Sequence, residues 1–121
     1  MANDKNKYDL EDRTEKFGED IIKLCKKIKI TIYTEPLIKQ LIRSGTSVGA
    51  NYMEANGACS KKDFCNKIYI CKKESQESKH WLKMLISATC NHHDEISQLL
   101  GEAQQLSMIF HKISSSSKIN H

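Results

Sequence analysis

Apolar residues recur at intervals of three and four along most of the chain, the period of helices that each bury one stripe. The first stripe runs through Leu10, Phe17, Ile21, Leu24, Ile28 and Thr31. It predicts a helix that starts just after Asp9, with Glu11, Asp12 and Glu15 at the positive end of its dipole and Lys26, Lys27 and Lys29 at the negative end. The β-branched stretch from Ile28 to Tyr33 has no second strand to pair with and is read as the end of this helix. Thr34-Glu35-Pro36 then marks a new start: a threonine N-cap, followed by an acid and the only proline inside the first turn, where a missing N–H is harmless. The second helix is predicted over about residues 35 to 58, with its seam at Leu37, Leu41, Gly45, Val48, Tyr52, Ala55 and Cys59. Gly45 and Gly49 each cost about 1 kcal/mol of helix propensity relative to alanine. Two such residues in mid-helix predict that another helix crosses closely there.

Ser60 followed by Asp63 resembles a capping box and opens a third helix that extends to about Thr89. Its seam of Phe64, Ile68, Cys71, Ser75, Ser78, Leu82, Leu85 and Thr89 is the most sustained periodic signal in the sequence. Asn91-His92-His93-Asp94 reads as a polar loop, and Ile96, Leu99, Ala103, Leu106, Phe110 and Ile113 define a fourth helix. The expected organisation is a polar extension at 1–9, a bundle over 10–113 and a serine-rich tail at 114–121 without fixed structure. The fold class is all-α, an antiparallel up-and-down four-helix bundle with short connections.

With 121 residues there is room for one core, which excludes a two-domain enzyme. No apolar run approaches the roughly 18 residues that cross a bilayer, and the N-terminus lacks a signal-peptide core, so the expected location is the cytoplasm, with no membrane contact. The net charge of +4 is unevenly spread: −3 over residues 1–20, +8 over 21–90 and −1 over 91–121. Such asymmetry points to an anionic partner for the middle section, nucleic acid first, against the commoner solvated lysine-rich face. The candidate contacts are Lys23, Lys26 and Lys27 near the end of the first helix, Lys61 and Lys62 at the second hairpin, and Lys67, Lys72, Lys73, Lys79 and Lys83 along the third. Only Tyr69 lies nearby as a stacking platform, so contact with the phosphate backbone is the form to expect.

Other chemistry is thin. Cys25, Cys59, Cys65, Cys71 and Cys90 are odd in number and include no C-x-x-C, so they read as small core residues. Glu77 and His80 have the E-x-x-H spacing of di-iron bundles, but no second copy exists, and neither a metal nor a cofactor is expected. No catalytic triad or glycine-rich phosphate loop is present, and no enzymatic activity is expected. The more telling constellation is a polar stripe predicted inside the bundle. The second helix supplies Arg43, Ser44, Ser47, Asn51 and Glu54, and the third supplies Glu74, Glu77 and the indole N–H of Trp81. With the fold-back centred near residue 59, Glu74 is expected opposite Ser44 and Glu77 opposite Leu41, with Arg43 reaching both carboxylates. Holding helices in register is the preferred reading over a ligand pocket.

Arg43-Ser-Gly-Thr-Ser-Val-Gly-Ala-Asn51, Glu54-Ala55, Ser60-Lys-Lys-Asp63-Phe64, Lys72-Lys-Glu74 and Glu77 through Trp81-Leu82 together closely resemble the 23S rRNA intervening-sequence protein family, over roughly residues 15 to 112. The resemblance implies a small bundle that assembles as a ring-shaped homopentamer. It also brings in a related group, accessory proteins of diversity-generating retroelements, whose basic barrel binds a reverse transcriptase and nucleic acid. Two functions therefore stay open: a homo-oligomeric nucleic-acid-binding protein with a basic surface or lumen, and an adaptor that docks a reverse transcriptase or other protein. Cys59, Cys65 and Cys71 depart from the small or aliphatic residues the family pattern suggests.

Overall fold

The computed structural model describes the backbone of residues 2–119 and the side chains of residues 10–116. It contains four helices and, among the described residues, no strand: α1 (Ala2–Lys27), α2 (Glu35–Asn56), α3 (Lys61–Ala88) and α4 (His93–Ile119). Helix α2 packs on α1 and α3, α3 packs on α4, and α1 touches α4 more lightly; among the described residues the backbones of α1 and α3 do not approach closely, nor do those of α2 and α4. The four stripes close on one core, whose fully buried members include Phe17, Ile21, Leu24, Leu41, Val48, Ile68, Leu82, Leu85, Ile96, Leu106 and Phe110. Tyr52 and Phe110 meet in a tilted aromatic contact, ring centroids 5.8 Å apart, tying α2 to α4 across the core.

The glycines of α2 admit α1. A Cβ on Gly45 would stand 3.0 Å from Ile21 Cγ1, and one on Gly49 would stand 3.3 Å from the backbone carbonyl carbon and oxygen of Thr14. Lower on the same seam, Asn56 donates to Glu11 at 2.6 Å, so the end of α2 lies beside the beginning of α1. Likewise Lys67 of α3 reaches Glu54 of α2 at 2.8 Å, and Ser78 reaches Ser44.

Several boundaries differ from the sequence expectation. Helix α1 begins at Ala2, so the backbone of the polar extension is helical from residue 2, Met1 lying outside the described residues. Helix α4 runs on through the serines to Ile119, where the sequence expectation places a tail without fixed structure; residues 120–121 lie outside the described residues. The reason is common to both ends: extending an existing helix fixes one residue per hydrogen bond gained, whereas only nucleation is costly. Residues 28–34 form the α1–α2 connection, not a helix end. Thr34 does not cap α2 with its side chain. It is buried, donates its hydroxyl to the Lys29 carbonyl at 2.7 Å and accepts from the Thr31 N–H at 2.9 Å, knotting the loop instead. Ser60 does cap α3, accepting from the Asp63 N–H at 3.0 Å.

The cysteines divide. Cys25 and Cys71 are in the core, as expected, and burial pushes their thiols up to about 11 and about 12 respectively. Cys59 and Cys90 are exposed and Cys65 is half-buried, because Cys59 falls after α2 has ended and Cys90 falls in the α3–α4 connection. No described helix is long and apolar enough to cross a membrane.

Candidate nucleic-acid interface

The polar stripe lies at the rim of the α2/α3 seam. Arg43 sits there with nearly half its side chain exposed, 46%. Its guanidinium nonetheless joins both carboxylates of α3: one terminal nitrogen lies 3.3 Å from each oxygen of Glu74, and the other pairs with Glu77. Glu77 also accepts from the Trp81 indole N–H at 3.1 Å, and Gln40 accepts from Arg43 Nε at 3.1 Å. The expected convergence of Arg43 on two carboxylates is therefore present, but on a half-open edge and not inside the bundle. One residue from Arg43 around the helix, Ser44 faces inward, fully buried, and its hydroxyl accepts from Ser78 at 2.8 Å. Ser44 thus lies opposite Ser78, one turn beyond the expected Glu74. Ser47 and Asn51 do not join the cross-helix network. Ser47 donates to the Arg43 carbonyl at 2.6 Å and Asn51 to the Ser47 carbonyl at 2.8 Å, each within α2. Glu54 re-enters it through Lys67.

The ten lysines do not form one surface. Lys23, Lys26 and Lys27 belong to α1, whose backbone does not approach that of α3 closely among the described residues. Lys27 is paired with Glu95 of α4 at 3.0 Å, an interaction that also holds the Glu95 carboxyl below its usual range, chiefly through the hydrogen bond. Lys67 is spent on Glu54, whose hydrogen bond raises its pKa. Along α3 the remaining lysines separate by helical angle. Lys72 and Lys79 are half-buried on the α4 side, Lys83 follows one turn later, and Lys62 and Lys73 project from the outer face with exposed Tyr69. Lys79 donates to the Gln104 side-chain oxygen of α4. Among the described residues, Lys62, Lys72, Lys73 and Lys83 have no carboxylate within ion-pair distance. His80, the partner of Glu77 in the E-x-x-H spacing, is exposed and packs edge-on to Trp81, while Glu77 turns to Arg43. Among the described residues no three of His, Cys, Asp and Glu gather as a metal site would require.

A family model described as "23S rRNA-intervening sequence protein" matches residues 6–112. The chain belongs to that family. Among solved structures, a protein of unknown function from the S23 ribosomal protein family of Bacteroides thetaiotaomicron VPI-5482 is similar at 30% identity. It superposes with a TM-score of 0.77 over 87% of this chain and 97% of its own. No curated protein matches the chain.

In this member of the 23S rRNA-intervening sequence protein family, the motif residues are concentrated on the α2/α3 rim and on the α1 crossing point. Arg43, Glu74 and Glu77 are the rim, while Gly45 and Gly49 are where α1 enters. Sequence reasoning missed the buried hydroxyl pair of Ser44 and Ser78 as a pair, although two serines on the α3 seam at Ser75 and Ser78 signalled polar contacts in the core. It also missed the two-pronged Arg13–Glu102 pair, at 3.1 and 2.7 Å, which closes the α1/α4 seam. Those residues are 89 apart in sequence and carry no local signal.

Proposed function

We propose that this protein is a non-enzymatic, cytoplasmic, antiparallel up-and-down bundle that assembles as a ring-shaped homopentamer and binds nucleic acid, structured RNA first, through the basic side of α3. The observation that carries this reading is the set of α3 lysines without carboxylate partners, Lys62, Lys72, Lys73 and Lys83, on a helix whose only acids, Asp63, Glu74 and Glu77, lie in its first turn or at the α2 rim. An uncompensated line of ammonium groups attracts a polyanion and releases its counterions, whereas a merely solvated face normally alternates its charges. Assembly is supported by the large apolar side chains left uncovered, among them Ile22, Ile32, Tyr33 and Met53, which a second copy would shield. The head-to-tail run of cross-helix contacts supports the antiparallel order. In a ring, the charge of α3 is repeated with every subunit.

The test is a gel shift with a structured RNA at two salt concentrations, alongside light scattering of the protein alone. Binding that weakens steeply with salt, by a multisubunit particle, is expected. A chain that fails to bind at low salt overturns the nucleic-acid reading, and a monomer in solution overturns the ring.

A further inference from the structure

Open grooves follow the helix seams, and three of them among the described residues differ in charge. The α1/α2 groove is acidic, lined by Glu11, Asp12, Glu15 and Glu19 beside small and apolar residues. The α1/α4 groove is mixed: three of its four cations are answered by the pairs Arg13–Glu102, Lys16–Asp20 and Lys27–Glu95, and Lys23 is the fourth. The α3/α4 groove, about 510 Å³, is lined by Lys72, Gln76, Lys79, Gln104, Ser107 and His111 beside the apolar Met108, and no carboxylate is among its lining residues.

We propose that the α3/α4 groove is a phosphate-binding track in which Lys72 and Lys79 hold backbone phosphates of the nucleic acid. This rests on the nucleic-acid reading above and narrows it to one seam. Both ammonium groups stand on half-buried stems, and the one acceptor given to Lys79 is the neutral amide of Gln104, which orients the charge without cancelling it. Neither ammonium has a carboxylate partner among the described residues, so an arriving phosphate supplies the counter-charge. Four of the other lining groups are suited to the same ligand: the two amides, the Ser107 hydroxyl and the His111 ring can each donate to a phosphate oxygen. Lys72 and Lys79 are seven residues apart, about 10.5 Å along the helix axis, and Lys83 extends the line by about 6 Å. That length accommodates several consecutive phosphates, since a duplex strand carries one per roughly 3.4 Å of axis. Lys62 and Lys73, by contrast, are exposed on the outer face of α3 and line none of these three grooves.

Two double variants separate these surfaces: Lys72→Gln with Lys79→Gln in the groove, and Lys62→Gln with Lys73→Gln outside it. Binding of a fluorescent RNA hairpin is measured by anisotropy from 50 to 200 mM salt, and the linewidth of inorganic pyrophosphate is followed by phosphorus NMR. The groove pair should lower the slope of log K against log salt by about 0.7–0.9 per lysine, while the outer pair should change it by less than half as much. Pyrophosphate should broaden with the parent protein and not with the groove variant. Should RNA bind with an unchanged slope in the groove variant, or with equal losses in both variants, the groove assignment falls while nucleic-acid binding stands. Should RNA not bind at all, the nucleic-acid reading falls. Pyrophosphate broadening that the groove pair abolishes then keeps the groove as a site for a small phosphorylated ligand, and no broadening overturns it as well.

Discussion

Replacing Arg43 with alanine tests how much the α2/α3 rim contributes to stability. Buried and fully desolvated, an arginine bridging two carboxylates would leave uncompensated charge on removal and cost about 3–5 kcal/mol. The geometry here argues for less. Arg43 is 46% exposed and Glu77 29%, so water screens the pairs and re-solvates Glu77 once its partner is gone. Exposed pairs contribute about 0.2–1 kcal/mol each. Glu74, only 13% exposed, sits nearer the upper end. Loss of the guanidinium also leaves Glu74 and Glu77 as like charges one turn apart on α3, which adds a few tenths of a kcal/mol. The expected loss is therefore about 1–2.5 kcal/mol, or a fall of about 4–10 °C in Tm for a domain of this size.

Urea unfolding of Arg43→Ala, Glu74→Gln, Glu77→Gln and the two double variants gives the coupling energies directly. Each carboxylate should couple to Arg43 by about 0.5–1 kcal/mol, and Gln40→Ala should be close to neutral. A loss below about 0.5 kcal/mol refutes the pairing as a stabilising contact. A loss above about 3 kcal/mol refutes the half-open rim, because only a seam covered from solvent supports that penalty. Repeating the measurement over a range of protein concentration tells whether such a cover is a second subunit.

Two further substitutions exploit the glycines. Gly49→Ala places a methyl 3.3 Å from the Thr14 backbone, which cannot rotate away, and its overpacking cost of about 1–3 kcal/mol outweighs the gain of about 1 kcal/mol in helix propensity. Gly101→Ala meets nothing within 4 Å on an exposed turn of α4 and should gain about 0.5–1 kcal/mol, so thermal melts that move in the same direction for both refute the crossing geometry. The thiols should alkylate in two classes at pH 8: Cys59 and Cys90 rapidly, Cys25 and Cys71 only on unfolding, since burial raises those two to about 11 and about 12 and keeps them as thiols. Mass mapping after a timed iodoacetamide pulse checks this, and early labelling of Cys71 would show that the core opens at that seam.

Much of the site was legible before the structure. Arg43, Glu74 and Glu77 lie at helical spacings that converge once two helices fold back on each other, and the structure joins them. What the pattern could not supply was depth. Period and spacing say which face of a helix a residue occupies, but exposure at the rim of that face depends on how far apart neighbouring helices stand. Hence a stripe expected inside the bundle lies on its edge, while Ser44, one residue from Arg43, turns inward to Ser78. The lysines show the same limit. Ten basic residues read as one cluster in sequence, yet α1 and α3 occupy opposite corners of the four-helix arrangement, and Lys27 and Lys67 are neutralised by acids 68 and 13 positions away.

The sequence by itself determined four amphipathic helices, the Ser60 cap, the close approach at Gly45 and Gly49, the family, and the concentration of positive charge in the middle of the chain. Those features are local or compositional: periodicity, capping and glycine content act within a few residues and survive without knowledge of the partners. Only the tertiary structure decided which charges cancel. The Arg13–Glu102 and Lys27–Glu95 pairs close the α1/α4 seam, and the α3/α4 groove is left with lysines and no acid. An ion pair or a charged groove is set by side chains brought together from distant helices, so it exists only once the packing has fixed which helix faces which.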